Sequence, residues 1–339
     1  MNSFGYKKAA SIEDTLEIKY QNKTSSFIAG GTNLLDLWKY NLQNPSELID
    51  LNGLEDLKRI SRQQNGTIRL GALATNAYTA YHPEIENYYP ILSRAILSGA
   101  SAQIRNSATN GGNLLQKTRC YYFYDMASPC NKRNPGSGCP AIEGKNRMHA
   151  ILGHSKQCIA VFPSDMCIAL AALEAKVEVF STTGTRIINF DDFHRLPGDQ
   201  PELDNTLKSD ELITAIILPQ RGFSTNYSYL KLRDRNSYAF ALVSVATCLE
   251  LENKKIKEIN IALGGVSHKP WRNKQAEASL IGELPTKENF EKIASLLLKE
   301  AKGFEYNKFK IELAKRAIVR NCLMALDPSS QRPGAQPSL

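Results

Sequence analysis

Two consecutive glycines stand between a strand pattern and a helix pattern in residues 26–38, SFIAGGTNLLDLW. Because glycine has no Cβ, the amides of Gly30 and Gly31 can approach an anion closely. Thr32 and Asn33 add side-chain donors at the start of the helix. The loop is neither a G-x-G-x-x-G motif nor a P-loop, since no lysine follows it. The pattern therefore disfavours a nicotinamide-binding Rossmann domain and an NTPase, and it indicates an anion-binding turn.

A second segment of small residues follows at residues 98–114, SGASAQIRNSATNGGNL. It offers backbone amides at Gly111 and Gly112, with hydroxyl and amide donors at Thr109 and Asn113. One Gly-Gly turn between a strand and a helix is usually only a connection. Two such loops in one chain indicate a long ligand with a diphosphate group, held from two sides.

Four of the seven cysteines lie in an insertion, residues 117–158, that is rich in Pro, Gly and Asn. Four thiolates on loops match the ligand shell of an iron-sulfur cluster, whereas a zinc ribbon uses C-x-x-C pairs. Ordinary free cysteines and a zinc site are the alternatives. Arg119, Lys132 and Arg133 are expected to place positive charge beside the thiolates and to offset the charge of a cluster. The four cysteines, separated by nine, eight and eighteen residues, are Cys120, Cys130, Cys139 and Cys158.

The charge and hydropathy of the chain exclude several classes of protein. Its 339 residues carry a formal net charge of +8, from 42 Lys and Arg against 34 Asp and Glu. The basic residues are scattered, and no recognition helix, RNP-like pattern or zinc-finger spacing accompanies them, which disfavours a nucleic-acid-binding protein. No run of about 18 apolar residues is free of charge, so no membrane span is predicted. The first residues lack a secretory apolar stretch and a twin-arginine pair, so we expect no export signal in this chain.

The chain is predicted to divide near residues 219–222, PQRG. Before this point, strand patterns alternate with helix patterns and short loops. The start is predicted to be β-α-β-α-β, with a first helix opened by Ser11 and with Asp14 three residues further on. Residues 176–181 and 185–189 are predicted to form a hairpin. After it, the sequence predicts a separate α+β unit, with strands at 228–232, 241–251 and 258–263 and helices at 286–302 and 307–325. Residues 328–339 are rich in Pro, Ser and Gln and are predicted to form a disordered tail.

Three segments in this order, AGGTNL, QIRNSATNGGNL and PSDMCIALAALEA, resemble the flavin-binding subunit of the xanthine dehydrogenase and molybdenum hydroxylase family. The resemblance covers nearly the whole chain. It implies an α+β fold with a PCMH-type FAD-binding domain at residues 1–222, made of two subdomains at about 1–55 and 56–222. A smaller α+β domain, like the C-terminal domain of the CO dehydrogenase flavoprotein, would follow at residues 223–327.

The same resemblance implies which residues contact FAD. The first glycine loop would wrap the pyrophosphate, and the second would contribute from the other side. Asp165 would bind a polar part of the adenosine half, and it is also predicted, with Ser164, to cap a helix. Ile216 and Lys231 would lie near the flavin. The predicted cofactor-binding residues are Phe27, Ile28, Ala29, Gly30, Gly31, Thr32, Asn33, Leu34, Thr109, Gly112, Asn113, Asp165, Ile216 and Lys231.

The run PCNKRNPGSGC, with GKNRMHAILG and PSDM, looks like the flavin subunit of bacterial periplasmic-type aldehyde oxidoreductases. In that group four cysteines bind a 4Fe-4S cluster, which implies that Cys120, Cys130, Cys139 and Cys158 are the ligands. A related insertion occurs in the flavin subunit of 4-hydroxybenzoyl-CoA reductase, whose cysteine spacing agrees less well. With four cysteines available, His149 and His154 are predicted to be hydrogen-bonding loop residues.

No molybdopterin-binding segment, Ser-His-Asp set or pair of carboxylates can be identified from the sequence, so no catalytic residue is predicted. The resemblance implies an electron-transfer subunit of a heterotrimer. A large partner would oxidise an aldehyde at a molybdenum cofactor, a small partner with 2Fe-2S clusters would relay electrons, and FAD would pass them to an external acceptor. The 4Fe-4S cluster would have a structural or potential-buffering role beside the flavin.

Other functions are compatible with parts of the pattern. They are the flavin subunit of another molybdenum hydroxylase such as a 4-hydroxybenzoyl-CoA reductase, a free-standing FAD oxidoreductase, and a zinc-stabilised scaffold. Neither of the last two accounts for both glycine loops and the cysteine set. We expect the chain to work in the periplasm if a partner with a signal exports it, and otherwise in the cytoplasm.

Overall fold

The computed structural model describes residues 2–331, and its first unit is a small parallel sheet with helices. The outer strands of this sheet both pair with the central one, in the order β1-β3-β2, so the predicted β-α-β-α-β start is confirmed. The elements of this unit are β1 (Gly5–Lys8), α1 (Ile12–Gln21), β2 (Ser26–Ile28), α2 (Leu34–Lys39) and β3 (Glu47–Asp50).

Helix α1 begins where the sequence predicts. Ser11 Oγ accepts a hydrogen bond from the amide of Asp14 at 3.1 Å. The Asp14 carboxylate accepts a hydrogen bond at 2.7 Å from the amide of Ala10, the residue before the cap. These bonds satisfy backbone donors that a helix start leaves free. The apolar face of the helix, with Leu16 and Ile18, is buried in the core of this unit.

The second unit is built on an antiparallel sheet of five strands in the order β4-β5-β8-β6-β7. The chain enters it through a 3-10 helix at Glu55–Lys58. Helices α5 and α9 pack on one another and form the largest hydrophobic core together with β5, β6 and β8. The elements are β4 (Ile60–Arg62), β5 (Ile68–Gly71), α3 (Asn76–Ala80), α4 (Pro83–Tyr88), α5 (Pro90–Ser98), α6 (Ala102–Ser107), α7 (Asn110–Leu114), α8 (Tyr121–Tyr124), α9 (Asp165–Ala172), β6 (Lys176–Ser181), β7 (Gly184–Asn189), α10 (Phe190–Phe193) and β8 (Leu212–Leu218).

The third unit is an antiparallel sheet of three strands in the order β11-β10-β9, covered by two long helices, α12 and α13. The strands and both helices agree with the sequence prediction to within a few residues, whereas the short helix α11 was not predicted. No helix in residues 2–331 is both long and apolar enough to cross a bilayer. The elements are β9 (Tyr227–Leu232), β10 (Val243–Glu252), β11 (Lys255–Gly264), α11 (Lys274–Ala278), α12 (Lys287–Leu297) and α13 (Phe309–Leu326).

The cysteine insertion, residues 117–158, contains only one helix, α8, and no strand. Side chains hold its loops instead. Asn131 Oδ1 accepts the amide of Gly138 at 2.7 Å, and Asn146 Nδ2 donates to the carbonyl of Ala141 at 3.1 Å. The guanidinium of Arg133 donates to backbone carbonyls of the same insertion. The loops are therefore fixed by polar side chains that satisfy backbone groups, as an irregular segment requires.

The second glycine segment differs from the open loop that the sequence predicts. It contains the short helices α6 and α7, each of which begins at a hydroxyl cap. Ser101 Oγ accepts the amide of Ile104 at 3.3 Å, and Thr109 Oγ1 accepts the amide of Gly112 at 3.3 Å. Thr109, which was predicted only as a ligand donor, thus also starts a helix, as Ser101 does.

The start of the predicted disordered tail is ordered in the structure. Residues Pro328–Ser330 form a 3-10 helix, and Gln331 is only 4% exposed. The amide of the Gln331 side chain donates to the carbonyl of Tyr227 at 2.6 Å, which fixes this end of the chain on the third unit. The rest of the predicted tail, residues 332–339, lies outside the described residues.

Candidate functional site

A cavity of about 1070 Å³ lies where the parallel sheet, the α6–α7 segment and β9 meet. Its volume is at the top of the roughly 300–1,000 Å³ that is usual for ligand sites. The two glycine segments and the third unit therefore enclose one large space. Of the predicted cofactor-binding residues, those that line it are Phe27, Ile28, Ala29, Gly30, Gly31, Thr32, Asn33, Leu34, Thr109, Gly112, Asn113, Asp165 and Lys231.

The first glycine loop lies directly against the second segment. A Cβ on Gly30 would stand 1.9 Å from the carbonyl oxygen of Ser107, far inside van der Waals contact. The Ser107 hydroxyl in turn donates to the carbonyl of Gly30 at 2.9 Å. Gly31 has a φ of +69°, a backbone conformation that residues with a Cβ rarely adopt. Both glycines are thus required by the backbone, and both line the cavity.

Asn33 carries an unused hydrogen-bond donor on this wall. Its Oδ1 accepts the amide of Lys117 at 2.9 Å, which fixes the orientation of the side-chain amide. Its Nδ2 is buried and has no partner among the described residues. Helix α2, which begins at the next residue, has no side-chain cap. A buried donor without an acceptor is costly, and a phosphate oxygen in the cavity would satisfy it.

Asn113, by contrast, has its side chain fully engaged. Its Nδ2 donates to Asn76 Oδ1 at 2.7 Å, and its Oδ1 accepts from Ser164 Oγ at 2.5 Å and from Gln116 Nε2 at 2.8 Å. Asn113 therefore shapes the cavity wall and ties the second segment to the start of α9. Of the two predicted asparagines, only Asn33 keeps a free side-chain donor.

Asp165 and Lys231 form an ion pair on the wall of the cavity, with Lys231 Nζ 2.8 Å from Asp165 Oδ2. The hydroxyl of Tyr229 donates to the other carboxylate oxygen at 2.6 Å. Burial, followed by the charge of Asp165, raises the pKa of Tyr229 well above its usual range, so the phenol stays protonated. The helix cap is Ser164 alone, since Ser164 Oγ accepts the amide of Cys167. Asp165 and Lys231 therefore face the same part of the cavity rather than opposite halves of a dinucleotide.

Ile216 lies elsewhere. It is in the centre of β8, fully buried, and paired with Leu70 on one side and Val177 on the other. Its side chain belongs to the large core of the second unit and is not on the cavity wall. Strand β8 is part of this core, and an apolar β-branched residue such as isoleucine suits a buried strand position.

Positive side chains outnumber negative ones around the large cavity. All three carboxylates are already paired, Asp165 with Lys231 as described above, Asp36 with Arg119 at 3.0 Å and Asp234 with Arg147 at 2.7 Å. An excess of positive charge in a cleft favours an anionic ligand. The cations on the wall are Lys19, Arg105, Lys117, Arg119, Arg147, Lys231 and Arg235, and the carboxylates are Asp36, Asp165 and Asp234.

The four cysteines of the insertion meet around a second, much smaller cavity of about 10 Å³, which Cys120, Cys130, Cys139 and Cys158 all line. The thiols of Cys139 and Cys158 are hydrogen-bonded to each other, which lowers the pKa of Cys139 and raises that of Cys158. Burial raises the pKa of the Cys120 thiol to about 12. The residues that sequence spacing singled out are thus brought together, in an enclosed site that is mostly apolar.

The donor set of this site fits an iron-sulfur cluster. Each cysteine of a 4Fe-4S cluster binds a different iron, so its four thiolates surround a cage and do not converge on one atom. Within residues 2–331, no group of three or more His, Cys, Asp or Glu side chains is arranged to hold a metal ion. A volume of 10 Å³ corresponds to about one water molecule. The fit is therefore one of ligand type and grouping, four cysteines around one small space.

Only one of the three cations predicted beside the thiolates lines the cysteine cavity, namely Lys132. Arg119 turns toward the large cavity and bonds Asp36 and Tyr124, and Arg133 is occupied by backbone carbonyls. Each has a partner outside the cysteine cavity, and this is the physical reason that the prediction is wrong for these two. Lys132 Nζ bonds the carbonyl of Pro201 and Asp204 Oδ1, each at 2.5 Å.

Asp204 forms ion pairs with one lysine on the wall of each cavity. It binds Lys132, on the wall of the cysteine cavity, and Lys117, on the wall of the large cavity, each at 2.5 Å. Burial alone would raise the pKa of Asp204, but the two lysines outweigh this effect and hold its pKa at about 2. The sequence gives no signal for this residue, since Asp204 is 72 positions from Lys132 and 87 from Lys117.

His149 contacts the cysteine site directly. Its Nε2 is 3.1 Å from Cys120 Sγ, and its ring is buried. Burial, and then the charge of Lys310, lowers the pKa of His149 to about 4, so its ring is neutral. His154 packs its ring against Phe304, with ring centroids 4.9 Å apart, and it is hydrogen-bonded to the backbone of Lys302. The prediction of a hydrogen-bonding role is confirmed for both histidines.

Leu37 connects the wall of the large cavity to the cysteines by packing. Leu37 lines the large cavity and is 2% exposed. It also belongs to the hydrophobic cluster that contains Cys120, Cys130 and Cys158. One helix, α2, thus begins at the first glycine loop and ends against the cysteines.

Comparisons with known proteins agree with this arrangement. Residues 2–221 match the family model of the FAD binding domain in molybdopterin dehydrogenase. Residues 227–320 match the model of the CO dehydrogenase flavoprotein C-terminal domain.

Individual relatives cover nearly the whole chain. The chain is similar to the aldehyde oxidoreductase FAD-binding subunit PaoB of Escherichia coli (strain K12), with 44% identity over 94% of this chain and 96% of that protein. It is similar to the glyceraldehyde dehydrogenase medium chain of Sulfolobus acidocaldarius, with 26% identity over 86% of each protein. In fold it is similar to quinoline 2-oxidoreductase from Pseudomonas putida 86, with a TM-score of 0.74 and 22% identity over 97% of this chain and 98% of that one.

Proposed function

Because the chain belongs to the FAD-binding medium subunits of the molybdenum hydroxylase family, we propose that it is the FAD- and 4Fe-4S-binding electron-transfer subunit of a molybdenum-dependent aldehyde oxidoreductase. Membership rests on the family match over residues 2–221 and on 44% identity to a curated relative. The family makes the chain a subunit of an oxidoreductase. The cluster, the substrate class and the direction of electron flow are the parts that we propose.

The packing of Leu37 is the observation that carries the proposal. This side chain lines the large cavity, which has an excess of cations, and it packs in one hydrophobic cluster with Cys120, Cys130 and Cys158. Electron transfer between two redox groups requires that they lie close together, and Leu37 links these two sites by direct packing. A free-standing FAD oxidoreductase would have no need of the second site.

The large cavity suits FAD, whose isoalloxazine ring accepts and donates electrons when it is bound. The amides of Gly30 and Gly31 and the free Nδ2 of Asn33 would hold the pyrophosphate. The pair of Asp165 and Lys231 would hold a polar part of the cofactor. In this way the chain's own residues orient the cofactor and supply the positive charge that its phosphates need.

The insertion would hold a 4Fe-4S cluster through Cys120, Cys130, Cys139 and Cys158. Such a cluster exchanges single electrons, and its potential depends on charge, burial and hydrogen bonds to sulfur. In this chain the site is mostly buried and Lys132 brings one positive charge to its wall. We propose a structural or potential-buffering role for the cluster beside the flavin.

The chemistry of substrate oxidation would take place on another chain. We propose a large partner with a molybdenum cofactor and a small partner with 2Fe-2S clusters, from which this chain receives electrons for an external acceptor. An aldehyde is the proposed substrate class because both curated relatives described above carry an aldehyde in their names. Export with a signal-bearing partner would bring the complex to the periplasm, and otherwise it works in the cytoplasm; cell fractionation distinguishes the two.

The first experiment is an anaerobic visible spectrum of the purified chain, with iron, sulfide and zinc analysis on the same sample. We expect flavin bands over a broad iron-sulfur absorbance, with iron and sulfide in equal amounts and little zinc. Flavin without iron would leave an FAD subunit and remove the cluster from the proposal. A colourless protein with stoichiometric zinc would overturn the redox function.

The second experiment tests partners and substrate. The tagged chain is purified anaerobically from its own host, and the copurified chains are analysed for molybdenum and assayed with aldehydes and a dye acceptor. We expect two further subunits, molybdenum and aldehyde-dependent dye reduction. An active monomer without molybdenum would support a free-standing FAD enzyme, and activity on an aromatic acyl-CoA alone would support a reductase of the 4-hydroxybenzoyl-CoA type.

A further inference from the structure

His149 is the one ring whose nitrogen lies within hydrogen-bond distance of the Cys120 sulfur in the described residues, with Nε2 3.1 Å from Sγ. Both side chains are almost completely buried, with His149 1% and Cys120 8% exposed. A thiolate that binds a metal has no proton and can only accept a hydrogen bond. A neutral imidazole can donate only one, from the nitrogen that carries the proton.

The backbone of His149 is held from both sides. Its amide donates to the carbonyl of Asn146 at 2.9 Å. Its carbonyl accepts from Lys310 Nζ at 2.7 Å and from Asn307 Nδ2 at 3.2 Å. Lys310 and Asn307 belong to the third unit and are fully buried. The insertion is therefore fixed to the third unit at the residue that faces Cys120.

The neutral ring of His149 can carry its proton on either Nδ1 or Nε2. Its Nδ1 is buried and makes no hydrogen bond within the described residues. The backbone acceptor that raises the pKa of His149, the carbonyl of Asn146, already accepts the amide of the same residue. With a thiolate beside Nε2, the proton is most stable on Nε2, where it has an acceptor. The ring packs beside Tyr122, with centroids 6.4 Å apart, which limits its rotation.

We propose that His149 is a positioning residue of the cluster site, which donates a hydrogen bond from Nε2 to the Cys120 thiolate and raises the redox potential of a cluster bound there. A hydrogen bond to a ligating sulfur withdraws electron density from the iron and favours the reduced cluster. The inference rests on the proposed function, because it needs a cluster on the four cysteines. It goes beyond it by naming the residue that adjusts the potential.

The test compares three variants of the full chain, purified anaerobically with its cofactors and partners. His149→Leu removes the donor, and His149→Gln replaces it with an amide donor of similar reach. His154→Leu is the matched control, because His154 lies in the same insertion but packs on Phe304. Midpoint potentials are measured by titration monitored with EPR. We expect a lower potential for the leucine variant at position 149, a potential near that of the wild type for the glutamine variant, and no change for the control.

A second measurement does not depend on how well a variant folds. In wild-type protein with ¹⁵N-labelled histidine, pulsed EPR of the reduced cluster should detect a coupling to a histidine nitrogen and to an exchangeable proton. A wild-type chain that contains the cluster but lacks both couplings, or equal potentials in the wild type and His149→Leu, would overturn the role of His149 alone. A wild-type chain without iron and sulfide would overturn the proposed cluster, so the two failures are distinguishable.

Discussion

Lys231 Nζ lies 2.8 Å from Asp165 Oδ2, and both side chains are at least nine-tenths buried, 5% and 9% exposed. The two residues come from different units. Asp165 is the first residue of α9, and Lys231 is the residue before the last in β9. Their ion pair thus fastens the third unit to the second at the wall of the large cavity. Tyr229 donates to the same carboxylate, so two buried polar groups, the ammonium of Lys231 and the hydroxyl of Tyr229, depend on Asp165.

Asp165→Asn should destabilise the chain by about 3–5 kcal/mol, because it leaves the buried ammonium of Lys231 without its counter-charge. FAD content should fall with it. Urea unfolding of the cofactor-free protein measures the first effect, and flavin absorbance after purification measures the second. Glu312→Gln is the control, since Glu312 and Arg316 are 59% and 78% exposed and their pair should contribute below about 0.5 kcal/mol. Equal losses in the two variants would contradict the argument.

Gly30→Ala should abolish FAD binding while the iron content is retained. The added methyl group would stand 1.9 Å from the Ser107 carbonyl oxygen and would push the two glycine segments apart. Flavin and iron analysis of the purified variant tests both parts. Gly5→Ala is the control, because the Cβ there would meet only the flexible side chain of Glu47, at 3.2 Å. Normal flavin content in Gly30→Ala would show that the contact between the segments is not required.

Asp204 should contribute a specific acid sensitivity. Its pKa of about 2 is below its ordinary value of 3.8, so its stabilisation is present above about pH 4 and is lost as the pH falls toward 2. This loss should amount to about 2 kcal/mol. Asp204→Asn should lower stability at neutral pH, since Lys132 then stays buried without a carboxylate, and should flatten the pH dependence between 4 and 2. Urea unfolding across this pH range measures the difference, and parallel curves for the two proteins would refute the role of Asp204.

Cys130→Ser should remove iron and sulfide and should also weaken FAD retention and turnover. The first effect follows from the loss of a thiolate ligand, and the second from Leu37, which packs against the cysteines and lines the FAD cavity. Iron, sulfide and flavin are measured on one sample, with turnover by dye reduction. Cys322→Ser is the control, because Cys322 is buried in α13 and is not on the cysteine cavity wall. Loss of the cluster with unchanged FAD, assembly and turnover would contradict a structural or potential-buffering role.

Local patterns in the sequence were sufficient for much of the fold. The strand before Gly30, the cap at Ser11 and the hairpin of β6 and β7 are set by residues within a few positions of one another. The glycine loop could be identified because its function requires the absence of a side chain, which is visible in the sequence. The cysteines could be grouped for a similar reason, since few other roles place four thiols in one polar insertion.

Contacts between distant positions could not be predicted. Asp204 is not part of a sequence motif. Its role depends on Lys117 and Lys132, which only the folded chain brings next to it. The contact of His149 with Cys120 spans 29 positions and needs the third unit to hold it. For Ile216, family resemblance predicts a place near the flavin, and strand pairing puts its side chain in the core of the second unit. Burial of a residue is decided by the sheet around it and cannot be derived from its neighbours in the chain.

The wall of the large cavity is assembled from residues as far apart as Lys19 and Leu242. A nascent chain that has left the ribosome only as far as β8 already has both glycine segments, but it lacks Lys231 and the residues up to 242. At that stage Asp165 has no Lys231 to pair with. Because domains fold as they emerge during synthesis, the flavin nucleotide can be enclosed only after about two-thirds of the chain has been translated. We therefore expect cofactor insertion to be a late step in the biogenesis of this subunit, after the residues up to 242 have been translated.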